Sequence, residues 1–206
     1  MKKILFIDAA VRQNSRTREL AQYLISKLSG EVRYLPLYET DIPLMNAKIL
    51  EWREACCAAK SFDDEYFALA KEFAAADTVV VAAPFWDLSF PAIFKQYIEA
   101  ISVNGITFTY SESGTPVGLC SAKDMYYVAT AGGYVSEDDD TLYDYLLNLF
   151  SGLYGIEHFM FFVADGLDIY GADIKKIFDE MRQNIDSMIK DVELITSIQE
   201  KGAQGE

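Results

Sequence analysis

The chain has 206 residues and a mass of 23.2 kDa, about the size of one ordinary domain, and its 51% hydrophobic content is ample for a buried core. A formal net charge of −14 argues against binding a nucleic-acid backbone, which calls for basic surface, and equally disfavours anionic membranes. No apolar run nears the roughly 20 residues that span a bilayer.

In chain order, Lys3–Ile7 is apolar and rich in β-branched and aromatic residues, as a buried strand is. Two lysines and a short apolar run resemble a secretory leader, but the run breaks at Asp8, too early for one. The expectation is a cytoplasmic protein. Ser15–Ser29 carries Leu20, Tyr23, Leu24 and Leu28 at helical spacing, with Gly30 as a stop, and Val32–Leu37 follows as a second strand. Asp77–Ala83 is the strongest strand pattern in the chain. Pro91 then opens a helix with Ile93, Phe94, Tyr97, Ile98 and Ile101 on one face. Met125–Thr130 and Phe159–Ala164 are two more strands, Leu142–Leu153 is a helix between them, and Asp173–Ile198 is a long final helix. One domain over residues 1–198 is expected, with a frayed polar tail over residues 199–206.

Continuously apolar strands alternating with amphipathic helices imply a parallel sheet covered on both faces, in a flavodoxin-like or a Rossmann-like order. In both orders ligands bind beyond the carboxyl ends of the strands, so the loops after Ile7, Ala83 and Thr130 are the candidates.

The first loop, Asp8–Thr17, contains neither GxGxxG nor GxxxxGK[ST]. It gathers Arg12, Asn14, Ser15, Arg16, Thr17 and Arg18 around a helix start. Either Asn14 or Ser15 simply caps the helix, or the N-terminal amides, hydroxyls and guanidinium groups receive a phosphate. Three arginines within seven residues of so acidic a chain favour the phosphate.

The second loop puts Phe85, Trp86, Leu88 and Phe90 between Pro84 and Pro91. So many aromatic side chains in a loop need an apolar partner, whether a planar heteroaromatic ring, a neighbouring subunit or the underside of the next helix. The third, Ala131-Gly132-Gly133-Tyr134, is either an ordinary turn or a close backbone approach to a ligand.

The remaining chemistry-bearing residues point elsewhere. Cys56, Cys57 and Cys120 are odd in number and lack CxxC spacing, which fits reduced thiols and neither a disulfide frame nor a zinc site. The Glu137–Asp140 run reads as a solvated loop that caps the next helix, with no metal assigned. The sole histidine, His158, starts the last strand, at the end away from the candidate loops.

Together these loops, with Gly105–Tyr110, Gly118-Leu119 and Phe161–Gly166, resemble those of the FMN-dependent NADH-azoreductases. That family is also described as FMN-dependent NADH:quinone oxidoreductases and sits in the flavodoxin-like NAD(P)H dehydrogenase (quinone) group. The resemblance runs from Lys3 to about Lys190. It implies a flavodoxin-like three-layer α/β sandwich with about five parallel strands in order 2-1-3-4-5. It further implies a tightly bound FMN whose phosphate lies at Ser15, Arg16 and Thr17 near Ala10. The isoalloxazine is implied against Phe85, Trp86, Asp87 and Leu88 and against Thr130, Ala131, Gly132 and Gly133. NADH or NADPH as co-substrate, a quinone or azo acceptor, ping-pong hydride transfer through flavin N5 with no catalytic side chain, and a homodimer complete what it implies. Ala10 stands where the family commonly has serine, Arg16 where glutamine is frequent, and Phe85–Leu88 replaces Met-Tyr-Asn-Phe; Glu51–Ser61 matches poorly. Two rival functions stand beside this one: a flavodoxin-type electron carrier, which the acidic charge suits, and a degenerate, non-enzymatic relative that has lost FMN, which Ala10 and the altered Phe85–Leu88 segment suit.

Overall fold

Strand β1 (Lys3–Asp8) is the second strand of a five-stranded parallel sheet in a computed structural model that describes residues 1–135 and 141–203. On one side β1 pairs with β2 (Glu31–Pro36), and on the other with β3 (Thr78–Ala82). Beyond β3 come β6 (Asp124–Thr130) and β7 (His158–Ala164), giving the order β2-β1-β3-β6-β7. Counting only the strands of this sheet, that is the expected 2-1-3-4-5 order. A separate antiparallel hairpin joins β4 (Phe108–Tyr110) to β5 (Pro116–Gly118).

The period-2 alternation of strand side chains divides the core into two layers. Ile4, Phe6, Val80, Ala82, Tyr126, Val128, Met160 and Phe162 pack against α1 (Arg16–Ile25) and α6 (Ile174–Ala203) through Leu20, Leu24, Phe178 and Ile185. Their neighbours Leu5, Ile7, Val79, Val81, Met125 and Tyr127 point the other way. They meet α3 (Ala68–Ala74), α4 (Ala92–Ile101) and α5 (Thr141–Leu147) through Phe73, Phe94, Tyr97, Ile98 and Leu146. Each buried side chain of this size contributes roughly 1.5–3 kcal/mol, so the alternation alone accounts for a three-layer sandwich.

Several boundaries differ from the sequence expectation. Helix α1 ends at Ile25, and the chain turns before Gly30. Gly30 lies where a Cβ would come within 2.5 Å of the Lys2 carbonyl, so it serves the approach of β2 to β1 and does not end the helix. Helix α2 (Ala47–Ala59) holds both paired cysteines and has no fully buried residue, so no apolar stripe announces it. Residues Asn148–Leu153 continue α5 as a wider π turn. Helix α6 begins at Ile174 and runs to Ala203, past the expected end at Ile198. The Glu137–Asp140 run lies outside the described residues.

Candidate functional site

At the carboxyl edge the residue after each of β1, β3 and β6 hands its amide to the neighbouring strand. The N–H of Ala9 donates to Ala82 O (2.8 Å), that of Ala83 to Val128 O (3.0 Å) and that of Ala131 to Ala164 O (2.9 Å). Phe85 N–H reaches Thr130 O at 3.0 Å, which ties the second candidate loop to the third. The loops after β1, β3 and β6 are thereby gathered at one rim, around a cleft of about 460 Å³.

Helix α1 presents its amino end to this cleft. Ser15 is the N-cap and its Oγ accepts from Arg18 N–H at 3.2 Å. The amides of Arg16 and Thr17 have no intrahelical acceptor, as in the first turn of any α-helix, so a partial positive charge faces the cleft. Thr17 is buried, and its hydroxyl meets that of Thr130 at 2.6 Å, pinning α1 to the end of β6.

Arg18 plays a different part from the one its sequence position suggests. Its side chain turns inward: Nε donates to the buried carboxylate of Asp8, Nη1 to the carbonyls of Arg12 (2.8 Å) and Gln13 (3.0 Å), and Nη2 to that of Ala10. Asp8 accepts further from Ala10 N–H (2.9 Å) and Tyr34 Oη (2.8 Å). Burial works against the charge of Arg18, but the hydrogen bond and charge of Asp8 more than offset it and raise the guanidinium pKa. Burial, followed by the contact with Asp8, raises the Tyr34 phenol as well. Arg18 thus collects the loop carbonyls beneath the surface and is a positioning residue, leaving Arg12 and Arg16 as the cations that line the cleft.

Of the twelve residues that the sequence reading assigned, the cleft is lined by Ala10, Ser15, Arg16, Thr17, Phe85, Trp86, Thr130, Ala131 and Gly132. Asp87, Leu88 and Gly133 stand outside the lining. Asp87 and Leu88 form a tight two-residue turn closed by Trp86 and Ser89, whose amides and carbonyls exchange hydrogen bonds of 2.9 and 2.8 Å. Both have left-handed backbone, φ 52° and 61°. Such a turn normally carries Asn-Gly, and a leucine there is strained. The turn throws Leu88 outward, 77% exposed, to line a second groove of about 440 Å³ with Phe90, Lys95, Leu142 and Tyr145. Gly133 O accepts from Gly166 N–H at 2.9 Å.

Val11, Arg12, Asn14 and Pro84 complete the lining from the first two loops, and Leu167 and Asp168, which follow β7, enter it from a fourth loop that no sequence motif marked. Asp168 Oδ1 pairs with Arg16 Nη1 at 2.9 Å, and its amide donates to Gly132 O at 2.9 Å. The findable signal was their place: they too lie at the carboxyl end of a sheet strand.

His158 stands at the opposite edge, with Nδ1 2.8 Å from Asp124 Oδ1. None of the cysteines lines the cleft. Burial pushes the Cys57 thiol up, against the opposing charge of Arg53, and lifts Cys120 to about 12, so neither is poised as a nucleophile. Among the described residues no helix is long and apolar enough to cross a membrane.

Comparison with known proteins agrees with this architecture. A family model described as flavodoxin-like fold matches residues 2–189. The FMN-dependent NADH:quinone oxidoreductase 2 of Clostridium acetobutylicum is 37% identical over 188 residues, covering 86% of this chain and 92% of that protein. The FMN-dependent NADH:quinone oxidoreductase of Clostridium beijerinckii is 33% identical over 187 residues, covering 87% and 94%. In fold, the crystal structure of azoreductase from Bacillus anthracis str. Sterne superposes with a TM-score of 0.78 at 22% identity, covering 91% of this chain and 98% of that one. By sequence along nearly its whole length, the chain belongs to the flavodoxin-like family that includes the FMN-dependent NADH:quinone oxidoreductases.

Proposed function

We propose that the protein is an FMN-dependent NAD(P)H oxidoreductase that reduces quinones or azo compounds. One observation carries this reading: a single cleft unites the amino end of α1 and Arg16 with the Phe85–Trp86 wall and the Gly132 turn. A phosphomonoester and a flat apolar ring need those two surfaces within one molecule's reach. FMN held in this cleft would supply the redox chemistry, hydride transfer from the nicotinamide and electron transfer to the acceptor.

The protein's own residues bind and orient. Ser15, the amides of Arg16 and Thr17, and the Arg16 guanidinium hold the phosphate. Ala10 has no hydroxyl to add, and the charge of Arg16 compensates for it. Phe85 and Trp86 form the apolar wall and exclude water. The amides of Phe85, Trp86 and Ala131 are already committed to Thr130, Ser89 and Ala164, so among the described residues the amide of Gly132 is the third-loop donor that lines the cleft and faces no such claim. We assign it to the ring's polar edge. No side chain is assigned as general acid, since the histidine is at the wrong edge, beside Asp124.

We also read the protein as a cytoplasmic homodimer. The groove beside the exposed Leu88 supports a second copy as its cover, since its apolar side chains stand open among the described residues. The test is NAD(P)H oxidation with and without a quinone, before and after FMN is added. Turnover that requires both flavin and acceptor supports the enzyme. Flavin binding without NAD(P)H oxidation points to a carrier, and no flavin binding to a degenerate relative.

A further inference from the structure

Asp168 is 71% exposed along its side chain yet held by two hydrogen bonds across the cleft mouth. Its carboxylate takes Arg16 Nη1 at 2.9 Å, and its amide donates to Gly132 O at 2.9 Å. Its Oδ2 lies so close over Gly132 that a Cβ there would approach to 2.6 Å. Arg16 also reaches the Leu167 carbonyl at 3.4 Å. An anion built into the protein therefore occupies the guanidinium of the phosphate receptor, and it does so from the side where the ring is assigned.

We propose, resting on the flavin reading above, that Asp168 is an internal competitor for the phosphate receptor and limits the discrimination in favour of phosphorylated over unphosphorylated flavin. A phosphomonoester carries about −1.5 to −2 charge and three acceptor oxygens, and the α1 amides add donors that the carboxylate does not use. It can take Arg16 from Asp168. A flavin without phosphate offers nothing in exchange and leaves the pair closed. With no cofactor bound, the carboxylate neutralises the cation at the cleft mouth and keeps the β7 loop drawn against the Gly132 turn.

The sign of this effect is unusual for a residue in contact with a binding site, because its removal tightens binding. The experiment is a fluorescence titration of FMN and of riboflavin into wild-type protein and Asp168→Asn. This substitution is close to isosteric at an exposed position and keeps the fold. An exposed ion pair is worth up to about 1 kcal/mol, so FMN binding is expected to tighten about three- to fivefold in the variant while riboflavin binding stays unchanged. Unchanged or weaker FMN binding in Asp168→Asn overturns the proposal alone. So does an equal shift for both flavins, since the carboxylate would then act on the ring or the ribityl chain. Failure of wild-type protein to bind FMN at all overturns the flavin reading and this proposal with it.

Discussion

Replacing Arg18 with alanine tests how the phosphate loop is held. The substitution removes the charged partner of Asp8, which is 1% exposed, and releases the carbonyls of Ala10, Arg12 and Gln13. Breaking a buried pair from one side costs about 3–5 kcal/mol, because the remaining charge has nothing to offset its desolvation. Arg18 keeps 19% of its side chain exposed and the loop carbonyls can turn to water, so the lower end, about 3 kcal/mol, applies. For a domain of this size that corresponds to a fall of roughly 6–12 °C in melting temperature. Circular-dichroism melts of the flavin-free protein measure it, and FMN titration of the same variant is expected to show affinity reduced by about tenfold or more. Adding Asp8→Asn to Arg18→Ala removes the stranded charge and is expected to recover part of the lost stability. A loss under about 3 °C, or a double variant no better than the single, would refute this account of the loop.

Three further outcomes follow from other parts of the molecule. Gly118→Ala places a Cβ 2.2 Å from the Tyr154 carbonyl carbon and oxygen, which are backbone and cannot swing aside, so urea unfolding is expected to show a loss of about 3 kcal/mol. Burial raises Cys120 from near 9 to about 12, so the folded thiol keeps a proton that the unfolded one releases. Stability is then complete below about pH 9 and falls toward pH 12 by up to about 1.4 kcal/mol per pH unit, with Tyr97 and Tyr127, both raised by burial, acting in the same direction. Denaturant melts at pH 8, 9.5 and 10.5 read this slope, and Cys120→Ala is expected to flatten its lower part. His158→Gln breaks the contact with Asp124 at the edge away from the cleft and is expected to leave NAD(P)H turnover nearly unchanged, whereas a loss of about a hundredfold would mark an acid–base role.

What could be read in advance depended on periodicity and on place. Strands β1, β3 and β6 are buried on both faces, so their apolar runs are continuous, and α4 and α6 bury one face each and show it in their spacing. Helix α2 was invisible for the opposite reason: none of its side chains is fully buried, so no stripe marks it. The hairpin β4–β5 has strands too short for two-residue alternation to register. At the site, strand ends located the three loops because the chain of a parallel sheet must present them at one rim. Side-chain direction was beyond that logic. Arg16 and Arg18 are two residues apart on one helix and so face different ways: one lines the cleft, the other turns under it toward Asp8. The contact between Arg16 and Asp168 spans 152 positions and is visible only once β7 lies beside β6.

The visible absorption spectrum of the purified protein, recorded anaerobically before and after NADH and then after a quinone, bears most directly on the central claim. The account predicts protein that carries or takes up FMN, loses its yellow colour with NADH or NADPH, and regains it with the quinone. Colourless protein that refuses FMN, or bound flavin that neither nicotinamide bleaches, would contradict it.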